Sequence, residues 1–235
     1  MPEISKTADQ TLLVLEAVAL RGPVTATELA RSLKLARTIV NRSLATLKRR
    51  GYVRRVAAGY LPGVALLNIA ERVSPDLLVP ARPLLAKLAA EFGETFMLNV
   101  PDGGDAVQIA QVVGDKHFVR VELTRGFRHP LVQGASGRAI LAYLDDPIQE
   151  RLVAAVPRPA ELRRELAKVR KLGVATSHDE LSAGVWGMSV PVRSAGEVLA
   201  SIGVVVRMAR SGELPRFLPA MKRAAQALAR PAAQG

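Results

Sequence analysis

Apolar residues recur at helical spacing through residues 7–20, where Ala8, Leu12, Leu15 and Ala19 mark one stripe. Gly22 and Pro23 cannot continue that helix, and Thr25 opens a second. The Thr25 hydroxyl is placed to accept from the amide three residues on while Glu28 reaches back, a capping box. Ala26, Leu29, Ala30 and Leu33 supply the buried stripe of this second helix. A turn at 34–36 leads into a third helix over 37–50, closed by Gly51. Two short β-type runs then flank residues 57–59 and predict a hairpin. Helix, helix, tight turn, helix and hairpin, in that order, make a winged helix-turn-helix.

Residues 64–70 predict a further apolar helix, and Pro75, Pro80 and Pro83 punctuate the stretch after it. Proline removes a helical hydrogen bond and pushes its predecessor towards extended geometry, so a domain boundary is expected here. A helix over 84–92 ends at Gly93. Beyond it the period becomes alternating, in TFMLNV (95–100), AVQIAQVV (106–113) and HFVRVEL (117–123), the strands of an antiparallel meander. Residues 136–144 and 161–172 read as helices, and WGMSVPV (186–192) and VLASIGVVV (198–206) as paired strands. A closing helix spans 214–228, with Leu218, Met221, Ala225 and Leu228 inward. The prediction is an α+β chain in three parts: a winged helix-turn-helix domain (1–63), a linker helix and hinge (64–82), and a larger domain (83–235).

Composition sharpens this picture. Hydrophobic residues make up 49% of the 235 positions and aromatics only 4%, so the cores must be aliphatic and disorder is excluded. No apolar run is long enough for a bilayer and no leader pattern heads the chain, which predicts a cytoplasmic protein without a membrane partner. There is no cysteine, hence no disulfide, thiolate nucleophile or sulfur-based metal site. The net charge is +12, and residues 1–62 carry 11 basic against 4 acidic side chains. More than half of the excess sits in a quarter of the chain. A compact basic module is the electrostatic footprint of a phosphate-backbone binder.

The third helix turns spacing into chemistry. Val40, Leu44 and Leu47 form its packing stripe, and the opposite face shows Arg37, Thr38, Asn41, Arg42, Ala45, Lys48 and Arg49. Guanidinium forks suit guanine O6 and N7, and an amide suits adenine N6 and N7. Arg37, Thr38, Asn41 and Arg42 lie at the end that enters the major groove in this motif, while Lys48 suits the DNA backbone. In the hairpin, Arg54 and Arg55 are candidates for minor-groove or phosphate contacts. Tyr60 suits either that role or packing beneath the wing. An enzyme is the rival class: His178, Asp179 and Glu180 form an acidic cluster, and Gly134–Gly137 is a small-residue turn. Yet no second histidine stands at a ligand spacing, so no metal site is expected, and phosphate-loop and dinucleotide fingerprints are missing, so no cofactor is expected. A ligand-independent architectural DNA-binder is a further alternative, which the size of the C-terminal domain opposes.

The segments GPVTATELARSLKLARTIVNRSLATLKRRGYVRR, ARPLLAKLAAEFGET, GASGRAILAYL and LGVATSHDELSAGVWGMSVPV together resemble the isocitrate lyase regulator (IclR) family of bacterial transcription factors, in that family's order. The resemblance implies a GAF-like C-terminal domain with a curved antiparallel sheet, and a homodimer or homotetramer on a palindromic double-stranded DNA operator. It also implies a small organic acid effector. On the matching positions, Gly134, Ala135, Ser136 and Gly137 would present backbone amides to the effector's carboxylate, small residues allowing its close approach. Ser177 would hydrogen-bond the ligand, beside Gly187. Gly187, Gly203 and Val205 stand where several relatives carry thiol or hydroxyl side chains, which predicts a roomier and more apolar pocket. With Trp186 and Met188 as further lining, the expectation is an aromatic or amphipathic acid. Simple core filling is the alternative for Trp186.

Overall fold

The computed structural model describes residues 4–123 and 126–229. The chain divides into two compact units, one up to Pro75 and the other from Asp76.

In the first unit, α1 (Lys6–Arg21), α2 (Ala26–Leu33) and α3 (Arg37–Arg49) precede an antiparallel hairpin of β1 (Val53–Val56) and β2 (Gly59–Pro62), and α4 (Ala65–Ala70) follows. Both halves of the capping box form: the Glu28 amide donates to Thr25 Oγ1 at 3.2 Å, and the Thr25 amide to Glu28 Oε2 at 2.8 Å. Lys34 takes the left-handed conformation that ends α2 and starts the tight turn. Val14, Val18, Leu29, Val40, Leu44, Leu47 and Val53 close the core, each stabilising by about 1.5–3 kcal/mol on burial. The α1 stripe differs from the sequence reading. Val14, Ala17 and Val18 face inward, whereas Ala8, Leu12 and Ala19 are exposed. Apolar side chains lie all round this helix, so α2 and α3, packing on one side of it, decide the phase. Residues Leu12, Leu13 and Leu20 of α1 and Leu67 and Ile69 of α4 remain exposed.

In the second unit, α5 (Pro75–Phe92) leads into β3 (Thr95–Asp102), β4 (Asp105–Val112) and β5 (Arg128–Pro130), then α6 (Gly134–Leu141), α7 (Asp146–Ala154) and α8 (Pro159–Leu172). Next come β6 (Ala175–His178), β7 (Val185–Ser194), β8 (Glu197–Arg207), a 3-10 turn and α9 (Leu214–Leu228). The sheet is antiparallel throughout, in the order β5-β4-β3-β8-β7-β6. One face packs on α5 and α9, with Phe96, Leu98, Met188, Val190, Ile202 and Val204 meeting Leu85, Phe217 and Met221. The other face carries α6, with α7 and α8 behind it, around Leu131, Ile140, Leu141 and Leu166.

Three expectations are corrected here. The proline stretch is helical: Pro80 and Pro83 lie inside α5. Each interior proline costs about 3 kcal/mol, but Ala81, Leu85, Leu88 and Ala89 recur at helical spacing and bury against the sheet, which outweighs it. Pro83 is exposed, and so is Val79, whose carbonyl it leaves without a helical donor, so water can take that bond. The HFVRVEL run forms no strand. It is held by side chains instead, Thr95 Oγ1 donating to the Val121 carbonyl at 2.6 Å and the Gln111 amide exchanging bonds with both backbone groups of Leu123. The place beside β4 goes to β5, a segment without strand periodicity. Finally, α7 forms where the sequence reading assigned no element.

Candidate functional site

The packing stripe of α3 dictates what its other face shows. With Val40, Ser43, Leu44 and Leu47 buried, the helix leaves Arg37, Thr38, Asn41, Arg42, Ala45, Lys48 and Arg49 all exposed on one side. Ser43 is tied to α1 through a 3.1 Å bond with Thr11 Oγ1. In the hairpin Arg54 and Arg55 are both exposed. Tyr60 is half-buried against the core, and its backbone bridges to Val24, joining the wing to the segment before α2. Gly59 makes that bridge possible: its φ is +135°, and a Cβ there would stand 2.5 Å from the Val24 carbonyl oxygen.

A second site lies within the C-terminal unit, between the sheet and the start of α6. Alternation along the strands sends one set of side chains into the core with α5 and α9 and the other set towards α6. On the α6 side stand Met97 and Asn99 of β3, Gly187 and Ser189 of β7, and Gly203 and Val205 of β8. With Ser177, Ala135, Ser136, His129, Leu123, Phe127 and Leu181 they enclose a cavity of about 30 Å³. The same alternation removes two predicted lining residues. Met188 is buried in the opposite core, and Trp186 packs against that core with its ring 5.1 Å from His178. Nor is the pocket emptied by its glycines. Ser177 Oγ stands 2.8 Å from where a Cβ on Gly187 would sit, and Ser189 Oγ stands 2.8 Å from the same place on Gly203. Hydroxyls from the neighbouring strands fill the space, so the cavity is tighter and more polar than the sequence suggested.

The four residues of the GASG turn divide their tasks. Gly134 adopts φ +69°, and its amide donates to Glu180 Oε2 at 2.9 Å. Ala135 and Ser136 face the cavity. Gly137 allows close packing, since a Cβ there would meet the Leu131 carbonyl oxygen at 2.7 Å. Glu180 also receives a fork from Arg138, Nη1 to Oε2 at 2.7 Å and Nη2 to Oε1 at 2.6 Å. Its partial burial alone would raise its pKa. The Arg138 hydrogen bonds, the Gly134 amide and the neighbouring positive charges outweigh that and hold the carboxyl below its ordinary value. The residue after it, Leu181, lines the cavity. A carboxylate thus already rests at the start of α6, clasping the 179–184 turn over the pocket. His129, buried beside Ser136, has its pKa pushed down chiefly by desolvation. The neutral ring donates from Nδ1 to the Pro130 carbonyl at 3.1 Å, which leaves Nε2 to accept from Ser136 Oγ at 3.4 Å.

Sequence reasoning missed Asn99, Ser189, His129 and the Arg138–Glu180 clasp. One signal was available: an asparagine inside the apolar run TFMLNV, at a strand position that points inward.

A winged helix-turn-helix presenting a basic exposed helix, on a chain whose second unit is a separate α+β domain, defines a DNA-binding transcriptional regulator. Residues 72–230 match the family described as bacterial transcriptional regulator IclR C-terminal, and residues 7–59 match the MarR family of helix-turn-helix domains. The chain belongs to the IclR family. It is 28% identical over 221 residues to the Pca regulon regulatory protein of Pseudomonas putida, covering 87% of this chain and 76% of that protein. It is 30% identical over 185 residues to the transcriptional repressor IclR of Escherichia coli, covering 70% and 65%. Among solved structures, an IclR transcriptional regulator from Alicyclobacillus acidocaldarius superposes with a TM-score of 0.82 at 25% identity, covering 97% of this chain and 98% of that one. An IclR homologue from Microbacterium hydrocarbonoxydans, complexed with 4-hydroxybenzoate, shares the fold with a TM-score of 0.84 at 21% identity, covering 95% and 98%. These relatives are transcriptional regulators, and this protein is a regulator rather than an enzyme. No helix among the described residues is long and apolar enough to cross a membrane.

Proposed function

We propose that this protein is a ligand-controlled regulator: a homodimer reads a palindromic operator through α3, and a small organic acid bound between the sheet and α6 sets operator occupancy. The observation that carries the sensing part is the internal cavity lined by Asn99, Ser136, Ser177 and Ser189. Buried polar groups converging on a void are costly unless a partner fills it. A ligand-independent architectural protein would have no use for such a cavity.

In this reading Arg37, Thr38, Asn41 and Arg42 contact base edges, and Lys48, Arg54 and Arg55 grip phosphates. The exposed apolar faces of α1 and α4 support self-association of the DNA-binding units. The effector's carboxylate lies at the start of α6, where backbone amides and the helix dipole favour an anion, within reach of Ser177. Its body rests against Met97, Phe127, Leu181 and Val205. The clasped pocket is too small for such a ligand, so binding displaces Leu181 and competes with the Glu180 carboxylate for the Gly134 amide. Trp186 and Met188 support the sheet from behind and take no part in recognition.

The test is operator binding by fluorescence anisotropy, on a sequence selected from random DNA, titrated with a panel of small aromatic and aliphatic acids. A change in operator affinity with at least one acid, absent in Ser136→Leu, is the expected result. An operator affinity indifferent to every acid would favour the ligand-independent reading.

A further inference from the structure

Among the described residues that enclose the cavity, His129 alone can carry a charge; the rest are aliphatic, aromatic, amide or hydroxyl groups. Strand pairing puts it there. His129 lies opposite Ala106 in the β4–β5 ladder and is 4% exposed, with its ring 5.9 Å from that of Phe127. Its Cε1 stands 3.4 Å from the place a Cβ on Gly134 would take. The ring therefore borders the start of α6, where the effector's carboxylate is placed above.

The charged groups around this ring are already paired with one another. Arg128 beside it forks Asp102 and Asp105 at 2.7 and 3.3 Å. Arg138 of α6 is closed on Glu180 and backed by Glu165 of α8 at 3.5 Å. Asp179 accepts from the Gly184 amide at 2.6 Å, and His178 stacks on Trp186. Burial accordingly dominates, pushing the pKa of His129 below its ordinary 6.5. The Pro130 carbonyl, Asp105, the Gln133 backbone and Glu180 pull it up, but by less. The ring is neutral at pH 7, with Nδ1 on the Pro130 carbonyl at 3.1 Å and Nε2 meeting Ser136 Oγ at a long 3.4 Å. An acid entering as a carboxylate thus finds no free cation on the lining. An unpaired buried charge is so costly that titratable groups in such a place neutralise it by shifting their pKa.

We infer that His129 is the countercharge of the sensor cavity: an acid bound there brings in one proton at His129 Nε2, so operator control answers to pH as well as to the acid. The proton comes from solvent and bonds to the Nε2 lone pair. The resulting imidazolium donates to the carboxylate through Nε2 and keeps the Pro130 carbonyl through Nδ1. No charge is then left unanswered. Affinity rises as the pH falls from the pKa of the complex to that of the free protein, by up to about tenfold per unit. This rests on the pocket reading proposed above and adds its regulation.

The experiment is isothermal titration of the full-length protein with benzoate, phenylacetate, butyrate and hexanoate, in Tris and in phosphate, between about pH 6 and 8. All four acids stay ionised there, so the difference in heat between the buffers counts protons taken up by the protein. The wild type should take up about half a proton or more per acid at its maximum, and affinity should fall about threefold or more per unit of rising pH in that window. His129→Gln, its folding confirmed by Trp186 fluorescence, should abolish both the uptake and the pH dependence. If that variant does not fold, carbon-labelled histidine in the wild type gives the measurement, with His117→Gln and His178→Gln identifying the other two resonances. His129 should be neutral at pH 7 without acid and imidazolium at saturation. Binding without proton uptake, uptake that persists in His129→Gln, or a ring already charged at pH 7 overturns the inference and leaves the pocket reading intact. If none of the four acids binds, the pocket reading falls and this inference falls with it.

Discussion

The clasp at Glu180 makes a prediction whose size comes from its geometry. Glu180→Gln keeps the shape of the side chain but removes its charge and turns one acceptor oxygen into a donor facing the Arg138 fork. Arg138 is 9% exposed at its side chain and Glu180 29%. The arginine would keep the Thr176 carbonyl at 2.7 Å, the more distant Glu165 at 3.5 Å and a single uncharged oxygen of the glutamine. Breaking a buried pair by removing one partner costs about 3–5 kcal/mol, and the residual partners place this case near the lower end, about 3 kcal/mol. For a unit of this size each kcal/mol moves the midpoint by about 2–4 °C, so a drop of about 6–12 °C is expected at neutral pH. The single tryptophan, Trp186, lies in the C-terminal unit and its fluorescence reports that unit's unfolding in the full-length protein. The pH dependence has a definite sign. The folded-state pKa of Glu180 lies below its ordinary value of 4.5, so between the two the unfolded chain binds more protons and stability rises with pH. The clasp's contribution is whole above about pH 4.5 and is lost as the pH falls through the lowered folded value. Wild type and Glu180→Gln should therefore converge in acid. Equal midpoints at pH 7, or a gap that persists unchanged in acid, would refute the reasoning.

On the DNA side, Arg37→Ala or Asn41→Ala should cost about 1–3 kcal/mol on the selected operator and relax base preference locally, read by anisotropy on single-base variants. An equal loss on random DNA would assign these residues to phosphate instead. Arg55→Ala should weaken binding to all sequences and lower the salt slope by about 1, and an unchanged slope would remove it from the footprint. Gly59→Ala forces a side chain into a φ of +135° against the Val24 carbonyl, a backbone cost of about 1–3 kcal/mol. Faster hydrogen exchange at the Val24 and Tyr60 amides should accompany reduced operator affinity, and unchanged exchange would speak against the wing's dependence on this glycine. Light scattering at micromolar concentration should give at least a dimer without DNA; a monomer would remove the symmetry on which a palindromic operator depends.

The sequence alone determined the N-terminal elements, because their signals are local. A capping box involves residues three apart, a tight turn needs a left-handed position, and the α3 stripe at Val40, Leu44 and Leu47 leaves one possible polar face. The α+β nature of the second unit was equally legible in the change of period after Gly93. Other features needed the tertiary structure, and each for a physical reason. The phase of α1 was open because apolar residues surround it, and only the position of α2 and α3 selected Val14, Ala17 and Val18. Burial of Leu85, Leu88 and Ala89 against the sheet carried α5 straight through Pro80 and Pro83, a tertiary gain larger than a local penalty. Which face of a strand looks onto a cavity depends on where the helices lie, so Trp186 and Met188 could be assigned to the pocket until α9 claimed their side. The same dependence hid Asn99 and His129, brought to one cavity only by strand pairing. Arg138 and Glu180, 42 residues apart, are likewise joined by long-range contact alone. Local chemistry is written in short spacings; a buried site is assembled from distant residues by packing, and no short spacing records it.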